Sequence, residues 1–205
     1  MQAAGLPPYE RPPAKSWDAL RACNFVLQNA ARTRPVLDVG GVPGYSHIST
    51  WLAHHGFEVD VINPALEREF SAQGGRVRYT RDDGSGTRFA DANFAAATCL
   101  SVIEHGVELD PFFREMHRLL VPGGCLVVST DFWHEPIDTG DRRKFGAPVR
   151  IFTREDIEAI VARAEAHGFG LTGPIDYRCE EKTVDWLGLE YTFLDFALRR
   201  LDGRR

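Results

Sequence analysis

The stretch Pro35-Val36-Leu37-Asp38-Val39-Gly40-Gly41-Val42-Pro43-Gly44 decides how the rest of the chain reads. A short apolar run closes on an aspartate and then breaks into glycines. Tyr45 to His55 follows as a helix, and Gly56 stands where such a helix ends. Strand, glycine turn and helix in this order open a doubly wound nucleotide-binding sheet. Glycines reach positive φ and carry no Cβ to hold a ligand off the backbone. The helix after them would point unpaired N–H groups at the same spot. Asp38, Gly40, Gly41 and Gly44 are therefore the first candidate binding residues. The competing reading is a tight turn after any buried strand, which a lone glycine-rich turn does not exclude.

Before this stretch, residues 1–15 are proline-rich and read as a tail or lid, leaving 16–205 as a single domain. Ser16 is placed to cap a helix from Trp17 to about Ala31, with Leu20, Phe25, Val26 and Leu27 on its apolar side. Beyond the glycines, Phe57 to Ile62 alternates as a second strand and stops at Asn63-Pro64. Arg76 to Thr80 is a third strand, and Phe94 to Leu100 is small and apolar, as in a strand buried on both faces. Asp110-Pro111 starts a helix that ends near Leu120, ahead of Val121-Pro122-Gly123-Gly124 and an apolar strand from Cys125 to Thr130. Thr153 begins another helix, with Asp156 set for a capping box and His167-Gly168 at its end. Leu171 to Asp176 and Tyr191 to Leu198 supply late strands. The alternation predicts an α/β fold: a doubly wound three-layer sandwich of about seven strands, mostly parallel.

Composition narrows the function classes. At 205 residues the chain can bury a substantial core, and its 43% hydrophobic and 26% charged content is ordinary for a globular domain. A net charge of -5 argues against nucleic acid or an anionic membrane as partner. No apolar run approaches the roughly 20 residues of a membrane span. Cys23, Cys99, Cys125 and Cys179 are scattered without a CxxC pair, so neither a zinc site nor a disulfide framework is expected. Reduced thiols suit a cytoplasmic protein.

With the elements placed, four segments together resemble the class I S-adenosylmethionine-dependent methyltransferases, in their small, single-domain, type 11-like form, over roughly residues 35 to 200. Val36 to Gly44 is similar to the family's first motif, which cradles the methionine part of the cofactor. Arg81-Asp82-Asp83-Gly84 sits where the family places an acidic residue beside the adenine. Ser101-Val102-Ile103-Glu104-His105 resembles the segment after the fourth strand, and Leu119 to Thr130 the turn and strand that follow. The resemblance implies S-adenosylmethionine as cofactor, an antiparallel last strand, and Asp83, Gly84 and Ser101 as further binding residues. Two departures stand out. Val42 takes the place of the middle glycine of DxGxGxG, with Pro43 beside it. Asn63 replaces the acidic residue that normally ends the second strand and accepts the ribose hydroxyls. If Asn63 faces the ribose, Asn63→Asp should tighten the cofactor.

Methyl transfer needs an aligned acceptor and, for a hydroxyl or protonated amine, a base. Candidate bases lie where the strands end. His105 follows the fourth strand, and Asp131, His134 and Glu135 follow the fifth. An ordinary histidine titrates near pH ~6.5, so His105 or His134 can serve at neutral pH, with Asp131 as the next candidate. Each also reads as a loop or strand-end residue of no catalytic consequence. No metal is expected. The segment from Asp131 to Arg150, with Phe132, Trp133 and several basic residues, is expected to wall the acceptor pocket. The acceptor class is a small metabolite or a glycan-type molecule, methylated at oxygen or nitrogen. Two other readings stay open: a non-catalytic module that has lost the cofactor, and a nicotinamide-dependent oxidoreductase. The absence of any Tyr-x-x-x-Lys pair counts against the common form of the latter.

Overall fold

The computed structural model describes residues 13–202. Most of the expected tail lies outside the described residues, but Pro13, Ala14 and Lys15 already belong to the first helix. In chain order the elements begin with α1 (Pro13–Asn29), β1 (Val36–Val39), α2 (Ile48–His54), β2 (Val59–Ile62), β3 (Phe70–Ala72) and β4 (Val77–Thr80). Then come β5 (Phe94–Leu100), α3 (Leu109–Leu119), β6 (Leu120–Phe132), β7 (Arg143–Lys144) and β8 (Ala147–Pro148). The series closes with α4 (Arg154–Ala166), β9 (Phe169–Leu171), β10 (Val184–Trp186) and β11 (Leu189–Arg200).

Among the described residues one sheet holds nine strands, in the order β10-β11-β6-β5-β1-β2-β4-β3, with β9 also pairing β11. The run β6-β5-β1-β2-β4 is parallel throughout. β11 enters antiparallel to β6, as the resemblance implied. The expected count of about seven misses two short edge strands, β3 and β10, which are too brief to show a period of two, and the strand expected over Leu171 to Asp176 is instead β9, ending at Leu171.

Two cores cover the two faces of the sheet. On one face α1 and α2 pack around Trp51, Phe57, Val59 and Val127. On the other, Phe112, Phe113, Met116 and Leu119 of α3 join Ile157, Ile160, Val161 and Ala164 of α4 over Leu126, Val128 and Phe132. Each large side chain removed from water in this way contributes about 1.5–3 kcal/mol. Strand β5 matches its expected range residue for residue, because six of its seven residues are buried and it reads as one apolar run.

Helix α1 departs from expectation. Pro13 opens it, a position that needs no N–H partner, and Ser16 lies inside it rather than capping it. Its buried stripe is Ala19, Ala22, Cys23 and Val26, while Leu20 is 39% exposed. Small residues let the helix lie close on the sheet; of the expected apolar side, Val26 is buried and Phe25 and Leu27 pack against the core, and only Leu20 faces out. Strand β6 starts earlier than expected: Leu120 pairs Phe94, then residues 121–124 loop out before Cys125 pairs Ala96. A Cβ at Gly124 would fall 2.8 Å from the carbonyl oxygen of Val121. The guanidinium of Arg199 donates to the carbonyl of Gly123 at 2.7 Å, and Arg200 donates to that of Leu120. The capping box of α4 is formed, with the Thr153 N–H donating to Asp156 at 2.9 Å. No helix among the described residues is long and apolar enough to cross a membrane.

Candidate active site

The site lies at the carboxyl ends of the parallel strands, where the chain leaves β1 through the glycine turn. Gly40 has φ +79°, and its N–H donates to the carbonyl of Ile62 at 2.7 Å, extending the β1–β2 ladder by one residue. A Cβ on Gly40 would strike a methyl of Val102, and one on Gly41 would fall 2.5 Å from both Asp38 Oδ2 and Val61 Cγ1. Gly44, at φ +72°, faces open space. Between them the turn closes on itself: the Val42 carbonyl accepts from the N–H groups of Tyr45 and Ser46, and the Val42 N–H donates to Ser46 Oγ at 3.0 Å. Helix α2 therefore begins at Ile48 instead of Tyr45 and runs for only seven residues. The expected helix N-terminus at the turn is replaced by this internally bonded loop.

Asp38 sits beneath the turn and is 2% exposed. Its Oδ1 accepts from Thr98 Oγ1 at 2.9 Å, while Oδ2 is buried with no hydrogen-bond partner among the described residues. Burial raises its pKa to about 7, against a smaller lowering by the Thr98 hydroxyl.

Asn63 is engaged by the chain's own backbone. Its amide Nδ2 donates to the carbonyls of Gly40 and Gly41, both at 3.2 Å, and its Oδ1 accepts from the Ala65 N–H at 2.8 Å. All three contacts are to the chain's own backbone, and the two carbonyls demand a donor. A carboxylate has none. Asn63 thus ties the glycine turn to the end of β2.

The segment after β4 forms two successive side-chain turns. Asp82 accepts from the Gly84 N–H at 2.9 Å, and Asp83 accepts from the N–H and hydroxyl of Ser85 at 2.9 and 2.7 Å. Those bonds hold the exposed Asp83 carboxyl below its usual range. Gly84 is buried at φ +76°, its Cβ position 3.3 Å from Ile62 Cδ1, so this turn borders the mouth between β1 and β2. Ser101 leaves β5 at φ +54° and donates its N–H to Ser129. A 3-10 turn, Ile103–His105, follows. Within it Glu104 is fully buried and accepts from Thr130 Oγ1 at 3.0 Å. Burial and the charges of Glu104 and Asp38 push the Cys99 thiol well up.

The proposed bases separate. His105 is half-buried, its ring centroid 4.9 Å from Phe145 and 6.4 Å from Trp186. Asp131 does not follow the fifth long strand but lies within β6, buried and paired with Phe193. The Tyr191 hydroxyl bonds to it, and burial together with the charges of Asp131 and Glu104 raises the tyrosine's pKa strongly. Tyr45 acts on Tyr191 as well, which brings the end of the glycine turn to β11. His134 lies apart from His105: its Nε2 is 2.9 Å from the Cys179 carbonyl and 3.2 Å from that residue's Sγ, and its ring packs on Phe132 and Trp133. Phe132 is fully buried in the α3–α4 core, so it cannot wall a pocket.

The segment from Asp131 to Arg150, expected to wall the acceptor pocket, contains the β7–β8 hairpin, which packs against the turn after β5 closely enough that a Cβ on Gly106 would meet Ala147. Beside it stands the β10–β11 hairpin with Trp186, and Val149, Leu189, Tyr191 and Phe193 form a small core beneath both. Phe145, Trp186, Tyr191 and Tyr45 were not expected at the site. The usable signals were Phe145-Gly146 and Leu187-Gly188, two tight-turn pairs between residues of strand character.

Residues 37–128 match the methyltransferase domain family. An uncharacterized methyltransferase of Mycobacterium sp. (strain JLS) is 36% identical over 106 residues, covering 50% of this chain and 41% of the relative. The chain spans about half the length of the curated relatives it matches. Among solved structures, the 1,6-didemethyltoxoflavin-N1-methyltransferase of Burkholderia thailandensis, with S-adenosylhomocysteine bound, aligns with a TM-score of 0.62 at 19% identity, over 93% of this chain and 80% of its own. The geranyl diphosphate C-methyltransferase of Streptomyces coelicolor A3(2), also with S-adenosylhomocysteine, gives 0.63 at 16% identity, over 89% and 76%. At such identities the likeness concerns the fold. The matched residues 37–128 span the glycine turn, Gly84, His105 and most of β6, and over this stretch the chain resembles the class I S-adenosylmethionine-dependent methyltransferases, whose fold it shares.

Proposed function

We propose that this chain transfers a methyl group from S-adenosylmethionine to an oxygen or nitrogen of a small-molecule or glycan-type acceptor. The observation that carries the reading is the unpartnered, buried Oδ2 of Asp38 directly beneath the glycine turn, 2.5 Å from where a Cβ of Gly41 would stand. A buried carboxylate oxygen takes a cationic or amine donor as partner, which fits a cofactor bearing an ammonium and a sulfonium. Asp38, Gly40, Gly41 and Gly44 would hold its methionine end, and Asp83 and Gly84 would border the adenine. When bound, the group supplies an electrophilic methyl on a positively charged sulfur.

The chain's own residues then have separable tasks. Asp38 accepts from the cofactor amine. Glu104 and Thr130 hold the turn that carries His105 at the end of β5. His105 takes the proton from the acceptor's O–H or N–H as the new bond forms. Asp131 orients the Tyr191 hydroxyl and is not itself the base, and His134 anchors the end of β6 to the loop at Cys179. Solved relatives of the fold include both an N- and a C-methyltransferase, so the methylated atom rests on the His105 assignment.

Calorimetric titration with S-adenosylmethionine, S-adenosylhomocysteine and NAD tests the reading. One-to-one binding of the first two, with none of NAD, supports it, and NAD binding alone would turn it into the oxidoreductase. A second reading, a module without cofactor, is favoured by the internal use of Asn63. It stands if all three titrations are flat.

A further inference from the structure

The hairpin tips beside His105 share an unusual feature. In each, the two-residue loop has both residues at positive φ: Phe145 at +50° with Gly146 at +83°, and Leu187 at +54° with Gly188 at +70°. These are type I′ turns, whose first place is ordinarily taken by Asn, Asp or Gly. A bulky side chain there is strained, and strain of this kind persists where function retains it. Neither residue recovers the cost by burial, since Phe145 is 73% exposed and Leu187 45%.

The tips are also held together. Arg142 Nε donates to the Leu187 carbonyl at 3.0 Å, and Arg143 donates to the Gly146 carbonyl at 2.6 Å. Their guanidinium groups are thereby occupied with backbone. Lys144 is different: its Nζ lies 5.4 Å from the Phe145 ring and 5.9 Å from the Trp186 ring, and it has no ion pair among the described residues. An ammonium between two aromatic rings is held in place with donors to spare.

We propose that the two hairpin tips grip the methyl acceptor, and that this acceptor is a flat apolar molecule bearing an anionic group, its ring against Phe145 and Trp186 and its anion on Lys144. The inference rests on the methyltransferase reading for its direction, because Phe145 lies edge-on to His105. A lipid surface fits less well, since Asp185 and Glu190 on the second hairpin are exposed and would oppose anionic headgroups.

The test is calorimetric titration of the full chain with 2-naphthoate and with its neutral counterpart 2-naphthylmethanol, with and without S-adenosylhomocysteine. Naphthoate should bind at least ~10-fold more tightly than the alcohol, as a charge-assisted contact implies. Lys144→Gln should remove that preference. Phe145→Asn should weaken both ligands while holding or raising Tm, because asparagine tolerates the left-handed region. Equal binding of acid and alcohol by the wild type, or a preference that survives Lys144→Gln, overturns the proposal. So does binding to anionic vesicles without binding of naphthoate. Binding of S-adenosylhomocysteine with flat naphthoate titrations rejects the acceptor class alone. Flat S-adenosylhomocysteine titrations reject the methyltransferase reading, and the naphthoate series without it still decides for or against the hairpin surface.

Discussion

Replacing Asp38 by asparagine should make the apo protein's stability less dependent on pH. The carboxyl is buried, has one hydrogen bond, and titrates at about 7 instead of 3.8. Its folded pKa is raised, so its contribution to stability is fully present below 3.8 and is lost as pH rises through about 7. In that window the native state holds a proton that the unfolded chain has released. For these two values the unfolding free energy falls by about 2.5 kcal/mol between pH 5 and pH 8. The substituted amide cannot ionise, and every other titrating group is common to both proteins. Urea unfolding followed by the fluorescence of the buried Trp51, at pH 5 and pH 8, measures the difference directly. The wild type should lose about 2.5 kcal/mol more than Asp38→Asn over that interval. Equal losses would mean that the carboxyl is solvated or paired, and the argument for an amine partner would go with it. The variant should also bind S-adenosylmethionine more weakly although it is the more stable protein at pH 8, a trade common at functional sites.

Asn63→Asp should weaken cofactor binding and lower stability by about 1–3 kcal/mol, because it sets a carboxylate against the carbonyls of Gly40 and Gly41. Tighter binding of S-adenosylmethionine by this variant would restore the ribose role. Once an acceptor is known, His105→Ala should cut turnover by about 100-fold or more with cofactor affinity unchanged, whereas His134→Ala should leave turnover near normal. The reverse pattern would move the base to β6. Thr153→Ala should cost about 1 kcal/mol in urea unfolding by removing the capping box of α4. A loss below a few tenths would mean that the Asp156 carboxylate caps the helix alone.

The sequence showed the parts of the molecule whose chemistry is local. Phe94 to Leu100 is apolar at every position but Thr98, and Thr153 with Asp156 satisfy each other within one turn, so both elements stand where expected. The glycine turn was readable because positive φ and close packing exclude other residues at Gly40 and Gly41. What was not readable depends on distant partners. Asn63 looked like a defective ligand until Gly40 and Gly41 came within reach of its amide. Asp131 looked like a loop carboxylate because the pairing with β11 that carries β6 on to Phe132 is non-local. His134 and His105 were equivalent as letters, and only Cys179 on one side and Phe145 on the other tell them apart. The stripe of α1 was only partly legible: Val26, Phe25 and Leu27 meet the core as expected, but Leu20 does not, and the small residues Ala19, Ala22 and Cys23 that set how closely the helix approaches the sheet carry little apolar signal.

The placement of β11 has a consequence for how the protein is made. Residues 192–199 pair with 125–132, so the last long strand completes the flank of a sheet whose other members are synthesised earlier. Until that segment leaves the ribosome, β6 presents an open edge from Cys125 to Phe132, a run with high β-propensity, a single charge and no proline. Chains released after truncation before Leu189 should therefore be caught by holdase chaperones or aggregate, whereas chains released with β11 complete through Arg200 should not.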